Sequence, residues 1–280
     1  MIYGNDMLDV ISFGEILWDV IEGVPHIGGA PFNFAAHVAK CGLKSALVSS
    51  VGDDSLGRRA MSEVARFGVD DRFVSFHPTL PTGTVNVYLK DGSPAYDIVK
   101  PVAWDEITIE RVANQPVPRA FYFGSLVRRS PVSSKTLDLL LRMFTGSIVF
   151  YDVNLRQDFW HKEKIEKDIG CSDVLKVNDE EMSRLGFIPK RLFESNPRLK
   201  VVIETCGKDG CLVWSREGCK LTSPAIPDGP IVDTVGAGDS FSAAFLSAIL
   251  SGKTLAEAAI DGNVRAGKVA SRAGAIPEDL

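Results

Sequence analysis

The chain has no two cysteines in Cys-x-x-Cys spacing, although it carries five: Cys41, Cys171, Cys206, Cys211 and Cys219. An odd set without that spacing argues against both a zinc site and a disulfide framework, and the expectation is free, buried thiols. Apolar runs long enough to span a bilayer are missing. The opening stretch, Met1-Ile2-Tyr3-Gly4-Asn5-Asp6-Met7-Leu8-Asp9, bears acidic residues where a secretory signal would bear basic ones, so a cytoplasmic protein without membrane contact is expected. Positive charge is scarce as well. With 31 Lys and Arg against 36 Asp and Glu, the net charge is −5, which speaks against a general binder of nucleic-acid backbone. No Gly/Ser-rich or Pro-rich linker, low-complexity tract or internal repeat divides the chain. At 280 residues and 45% hydrophobic it can bury one sizeable core.

What the chain does have is Asp233-Thr234-Val235-Gly236-Ala237-Gly238-Asp239. Gly236 and Gly238 lack a Cβ, so the backbone can turn sharply there and bring N–H groups close to a charged ligand. Behind them Phe241, Phe245, Ala248 and Ile249 recur at helical spacing, and Gly252 is placed to end the run. A glycine turn opening a helix presents unpartnered N–H groups and the positive end of the dipole, a setting for phosphate. Asp239 can serve there as a simple cap. Beside a bound phosphate it would repel its neighbour unless it took up a proton during reaction, and a base next to a phosphate turn points to phosphoryl transfer onto a hydroxyl.

Before this stretch, strand and helix patterns alternate as in an α/β protein with a parallel sheet. Asp9 to Glu15 reads as a strand, Lys44 to Gly52 as a second, and Pro31 to Gly42 and Ser55 to Gly68 as helices. Thr84 to Pro101 breaks the alternation with an antiparallel excursion turning at Asp91-Gly92, which together with Trp18 to Ile27 could close over a substrate. An ordinary edge hairpin is the plainer alternative. Asp19 lies on an apolar, strand-like stretch and is either a solvent-facing residue or a ligand contact. Gly28 and Gly29 permit close backbone approach, and the Asn33 amide could read a vicinal diol or simply face water. Strand Ser147 to Val153 delivers Arg156 near its C-terminal end, where open α/β sheets bind ligands; its fork of donors suits sugar hydroxyls or phosphate if it is not a surface residue. Asn178-x-x-Glu181 fits a helix capping box and equally a pair that holds water around magnesium. Thr205 and Gly207 border a turn that could lie against a nucleotide or be a plain hairpin. Thr254 to Glu257 is a second capping box, opening a final helix through Asn263.

Asp-Thr-x-Gly-Ala-Gly-Asp resembles the signature of the ribokinase-like, or phosphofructokinase-B, carbohydrate kinases, and Gly14-Glu15 and the Gly28-Gly29 region extend the resemblance over essentially the whole chain. The resemblance implies a three-layer α/β/α core with a mostly parallel central sheet and a small β-sheet lid. One domain over residues 1–280 is expected, with lid segments at about 17–28 and 84–101. It implies ATP as phosphoryl donor and magnesium, with Asp239 as general base and Gly236, Ala237 and Gly238 as anion hole. Asp19, Gly28, Gly29, Asn33 and Arg156 would contact sugar. Asn178, Thr205, Gly207, Gly238 and Asn263 would lie along the nucleotide, Asn178 and Glu181 would order water around magnesium, and Asp233 would join a potassium-type monovalent-cation site found in some members. Gly14-Glu15-Ile16-Leu17-Trp18-Asp19, Gly28-Gly29-Ala30-Pro31-Phe32-Asn33, Asp152-Val153-Asn154-Leu155-Arg156 and Val102-Ala103-Trp104-Asp105 are most similar to bacterial-type fructokinases. They imply D-fructose phosphorylated at its 6-hydroxyl. The alternatives are a kinase of ribose, 2-keto-3-deoxygluconate or adenosine, and a relative that senses sugar or nucleotide without turnover. A homodimer through the apolar edges of the lid is a further expectation.

Overall fold

In the computed structural model, residues 7–90 and 93–280 are described. The Asp91-Gly92 turn and the acidic residue Asp6 lie outside them. The chain enters on β1 (Val10–Phe13), leaves the body on β2 (Leu17–Ile21) and β3 (Val24–Gly28), and returns through α1 (Ala30–Lys40), β4 (Ser45–Gly52), α2 (Ser55–Arg66) and β5 (Val74–His77). A second departure forms β6 (Gly83–Lys90) and β7 (Ser93–Ile98). Then follow β8 (Ala120–Gly124), α3 (Pro131–Met143), β9 (Ile148–Asp152), α4 (Lys162–Gly170), β10 (Val174–Asn178), α5 (Asp179–Leu185) and α6 (Pro189–Ser195). The chain closes with β11 (Val201–Thr205), β12 (Cys211–Ser215), β13 (Lys220–Ser223), α7 (Ala237–Leu250) and α8 (Leu255–Ala270).

The main sheet has nine strands in the order β13-β12-β11-β10-β9-β8-β1-β4-β5, all running the same way except β12, which pairs antiparallel with both β11 and β13. Alternation along the strands sends side chains to two apolar layers. Val10, Tyr122 and Phe150 pack with Phe34 of α1, Phe241 and Phe245 of α7 and Ala258 of α8. Ile11, Phe13, Phe121 and Tyr151 pack on the other face with Leu137 of α3, Ile165 of α4 and Leu185 of α5. The three-layer α/β/α architecture expected from the sequence is therefore present. Gly262 permits close approach of the last two helices, because a Cβ there would meet the Phe241 ring at 2.7 Å.

The lid is a separate four-stranded sheet, β3-β2-β6-β7. It is mixed rather than antiparallel: β2 pairs antiparallel with β3 and β6 with β7, but β2 and β6 run parallel, Leu17 to Gly83 through Ile21 to Val87. The reason is topological, since β6 is reached only after the chain has passed back through the body, and a long crossover permits a parallel pair. The cysteines also depart from expectation in part. All are free, yet Cys41, at the end of α1, and Cys219, in the turn before β13, are exposed. No helix among the described residues is long and apolar enough to cross a membrane.

Candidate active site

Parallel strands deliver their C-terminal ends to one edge of the sheet, and the turn before α7 meets them there. Gly236 caps α7 in the left-handed region (φ 76°, ψ −6°), and a Cβ on it would stand 2.6 Å from the Ala275 carbonyl oxygen. Ala237 N–H returns to Thr234 O (3.2 Å) and Ser240 N–H to Gly236 O (2.8 Å). The N–H groups of Gly238 and Asp239, in the first helical turn, have no acceptor among the described residues. That pair, at the positive end of the 14-residue α7, forms an anion cradle.

Asp239 projects from the same turn and accepts a 2.9 Å hydrogen bond from Asn33 Nδ2. Burial pushes its carboxyl up to about 6, with the Asn33 hydrogen bond pulling down and the charge of Asp152 pushing up. Asn33 is in place because Gly29 caps α1 at φ 108°, so close to the preceding strand exit that a Cβ on it would lie 2.6 Å from Glu15 O. Asn33 is itself buried, not facing water, and its Oδ1 has no partner in the protein. Glu15 is buried too, with Oε2 unpartnered, and desolvation raises its carboxyl to about 7. On the lid, Asp19 is pushed up by burial and held down by Arg156. Gly28, which pairs with Leu17 two residues along the β2–β3 ladder, leaves room for that carboxylate, because a Cβ there would stand 2.6 Å from Asp19 Oδ2. Arg156, exposed beyond β9, acts electrostatically on Glu15, Asp19 and Asp239 alike. Orphaned acceptors beside an ionisable base are what a polyhydroxylated ligand would satisfy.

Beneath the turn lies a buried ion pair that the motifs did not single out. Lys176 Nζ is 3.1 Å from both carboxylate oxygens of Asp152, its register partner on β9. Tyr122 and Ser242 hydroxyls complete the shell of Asp152, at 3.3 and 3.0 Å. A Cβ on Gly238 would come within 3.2 Å of Lys176 Nζ, so the ammonium supports the cradle from below. The signal in the sequence was a lysine inside an apolar strand, Val174-Leu175-Lys176-Val177.

Asn178 and Glu181 form the expected capping box: Asn178 Oδ1 accepts from Glu181 N (2.7 Å) and Glu181 Oε2 from Asn178 N (2.9 Å). Glu181 Oε1 accepts from Leu155 N at 2.7 Å, which ties α5 to the loop carrying Arg156. No three His, Cys, Asp or Glu side chains among the described residues gather as a metal cluster. Each of Asn178 Oδ1 and the two Glu181 oxygens accepts a single backbone N–H bond, and the lone pair left on each would suit water carried by a hydrated magnesium ion rather than direct ligation. Thr205 ends β11 in register with Asn178, and Gly207 follows at φ 51°. Asn263 is buried, and its Nδ2 donates to Ser223 O, Ser223 Oγ and Pro224 O, joining α8 to the end of β13. Asp233 accepts from Val235 N (2.9 Å) and Gly274 N (3.1 Å), pinning the loop after α8 to the turn. The same loop is held from α1, where the buried His37, kept neutral by a pKa lowered to about 4 through desolvation, donates from Nε2 to Ala275 O at 2.9 Å.

The sequence profile of the pfkB family carbohydrate kinases matches residues 1–279. The chain belongs to the pfkB family of carbohydrate kinases. Among its relatives, the sugar kinase PH1459 of Pyrococcus horikoshii is 32% identical over 262 residues, covering 90% of this chain and 83% of its own. Fructokinase-1 of Oryza sativa subsp. japonica is 30% identical over 312 residues, covering 96% and 93%. The crystal structure of PH1459 superposes with a TM-score of 0.83 at 28% identity, covering 95% and 93%, and that protein has also been crystallised with ATP. Fructokinase of Vibrio cholerae O395 with fructose, ADP and calcium gives 0.85 at 23% identity, covering 96% and 95%, a likeness of fold. This pfkB kinase thus has the ribokinase-like fold, a large, mostly parallel sheet with a small lid sheet.

Proposed function

We infer that the chain is an ATP-dependent kinase of D-fructose, transferring the γ-phosphoryl group to the sugar's 6-hydroxyl. The observation that carries this reading is Asp239, oriented by Asn33 beside the two free N–H groups of the α7 turn. Magnesium-bound ATP supplies the phosphoryl group when present. Asp239 takes the proton from the acceptor hydroxyl. Gly236, Ala237 and Gly238 shape the turn whose N–H groups steady negative charge during transfer. Asn33, Asp19 and Arg156 orient hydroxyls, and the backbone at Gly28 and Gly29 lets the sugar come close. Asn178 and Glu181 order water about the metal, Thr205, Gly207 and the segment held by Asn263 border the nucleotide, and Asp233 belongs to a potassium-type site. Residues 1–280 act as one domain whose lid excludes water. A cytoplasmic location and a homodimer through the lid complete the proposal; Ile21, Val24 and Tyr96 are exposed on that sheet. The near-full-length similarity to a rice fructokinase favours fructose. Kinases of ribose, 2-keto-3-deoxygluconate or adenosine are the competing reading. Coupled measurement of ADP release over those four acceptors decides, and a larger kcat/KM for any acceptor other than fructose rejects the substrate assignment.

The acid limb of the pH profile follows from the carboxyl shifts. The base works only when ionised, and its raised pKa means that it keeps its proton to higher pH. Acceptor kcat/KM should therefore fall, by about tenfold per pH unit, below an apparent pKa of about 6, that of the Asp239 carboxyl. Removing the hydrogen bond that favours the ionised form, by Asn33→Ala, should move that limb to higher pH. A limb that stays in place or moves down would separate Asn33 from the base.

A further inference from the structure

Away from the sheet edge, α1, α7 and α8 frame an open cavity of about 350 Å³, within the size range of small-ligand pockets, roughly 300–1,000 Å³. Its wall includes Ala244 and Ser247 of α7, five and eight residues beyond Asp239, so the cavity stands about 8 to 12 Å along that helix from the candidate base, at 1.5 Å per residue. It is therefore distinct from the proposed active site.

The wall is basic. Lys40, Lys253, Arg265 and Lys268 face it against one carboxylate, Asp261. Asp261 is committed to Lys253 at 2.6 Å. Arg265 and Lys268 have no carboxylate partner among the described residues, and buried Arg265 Nε has no acceptor. Lys40 Nζ donates to the Glu278 carbonyl oxygen and to a main-chain carboxylate oxygen of Leu280. The acidic groups at the rim are engaged elsewhere, Glu278 with Arg66 and Asp279 with Arg272. Burial first, and then the charge of Arg265, lower the Lys40 pKa, against a smaller opposing pull from Asp279 and Glu278. At the bottom, the hydroxyl of Ser247, a residue only 7% exposed, is buried and has no hydrogen-bond partner. Arg265 and Lys268, without carboxylate partners, and an orphaned buried hydroxyl together describe a receptor for an oxyanion.

We propose that the cavity between α1, α7 and α8 is a second ligand site, which takes a phosphate-bearing small anion through Arg265, Lys268, Lys40 and the Ser247 hydroxyl. Arg265 supplies the planar fork, the lysines supply point charge, and Ser247 donates one further hydrogen bond. The volume leaves room for a small organic group on the phosphate.

Cys41 offers a local readout, since its exposed thiol lines the cavity, with Sγ 3.8 Å from Arg265 Nη2. The full chain would be treated with iodoacetamide, and Cys41 alkylation timed by peptide mass spectrometry, with exposed Cys219 as internal reference. Glucose 6-phosphate, glycerol 3-phosphate and inorganic phosphate would be added at constant ionic strength. The expected result is slowing at Cys41 of about threefold or more once occupancy passes two-thirds, with Cys219 unaffected. Protection by the esters at lower concentration than inorganic phosphate identifies a phosphate ester as the occupant; equal protection identifies the phosphate group alone. The double variant Arg265→Gln/Lys268→Gln, and separately the single variant Lys268→Glu, should lose the protection while keeping wild-type turnover. Cys41 alkylation that is unchanged by all three anions, or protection that survives in both variants, overturns the proposal. Neither outcome bears on acceptor turnover, so this test and that of the kinase assignment fail independently.

Discussion

Asp239→Asn is expected to lower kcat by a hundredfold or more while leaving ATP affinity nearly unchanged. The substitution keeps the shape of the side chain and leaves an oxygen to accept from Asn33 Nδ2, now 2.9 Å from the carboxylate. What it removes is the capacity to hold a proton from the acceptor hydroxyl, and loss of a positioned base costs about 10²–10⁴-fold. The N–H groups of Gly238 and Asp239 belong to the backbone and survive the change, so the anion cradle persists. Steady-state kinetics with fructose, alongside calorimetric titration with a nonhydrolysable ATP analogue, would separate the two effects. Turnover within a few-fold of the parent would remove Asp239 from the mechanism and with it the phosphoryl-transfer reading. The same variant bears on the non-catalytic alternative, since a sugar sensor would lose nothing by the exchange.

Lys176→Met should be the most destabilising single change near the site. Asp152 is fully buried, and the methionine would leave it with only the Tyr122 and Ser242 hydroxyls against its charge. Breaking a buried pair by removing one partner costs about 3–5 kcal/mol, because the remaining charge is uncompensated. The double variant Asp152→Asn/Lys176→Met removes both charges, and more than half of the loss should return. Urea unfolding at pH 7.5 reads this as a lowered midpoint with unchanged slope. A single variant as stable as the parent, or a double variant no better than the single, would show that the pair is not the support inferred here.

Features whose cause is local in sequence were legible from it. The capping boxes at Asn178 and Thr254 rest on contacts three residues apart, and both are formed. The α/β alternation and the α7 turn were readable for the same reason, since periodicity and glycine placement act within a few residues. The parallel β2–β6 ladder was not, because its partners are separated by a full return through the body. Depth was equally hidden. Lys176 stood out only as a lysine among valines and leucine, and nothing in the chain order places it against Asp152 and under Gly238. Glu15 was read as part of a motif, whereas the fold gives it a buried, unpartnered oxygen near the base. Asn263 was assigned to the nucleotide by resemblance, and the fold adds that its amide nitrogen donates to Ser223 and Pro224.

The carbonyl of Ala275 receives His37 from one side and crowds Gly236 from the other, while its neighbour Gly274 is fastened to Asp233. A stretch that touches neither reactant thus serves as a common footing for the acceptor-side helix and the donor-side turn. Bulky or backbone-altering replacements at positions 274–276 should consequently harm both halves of the reaction together. In a saturation screen they would mimic active-site lesions although they lie outside the catalytic cleft.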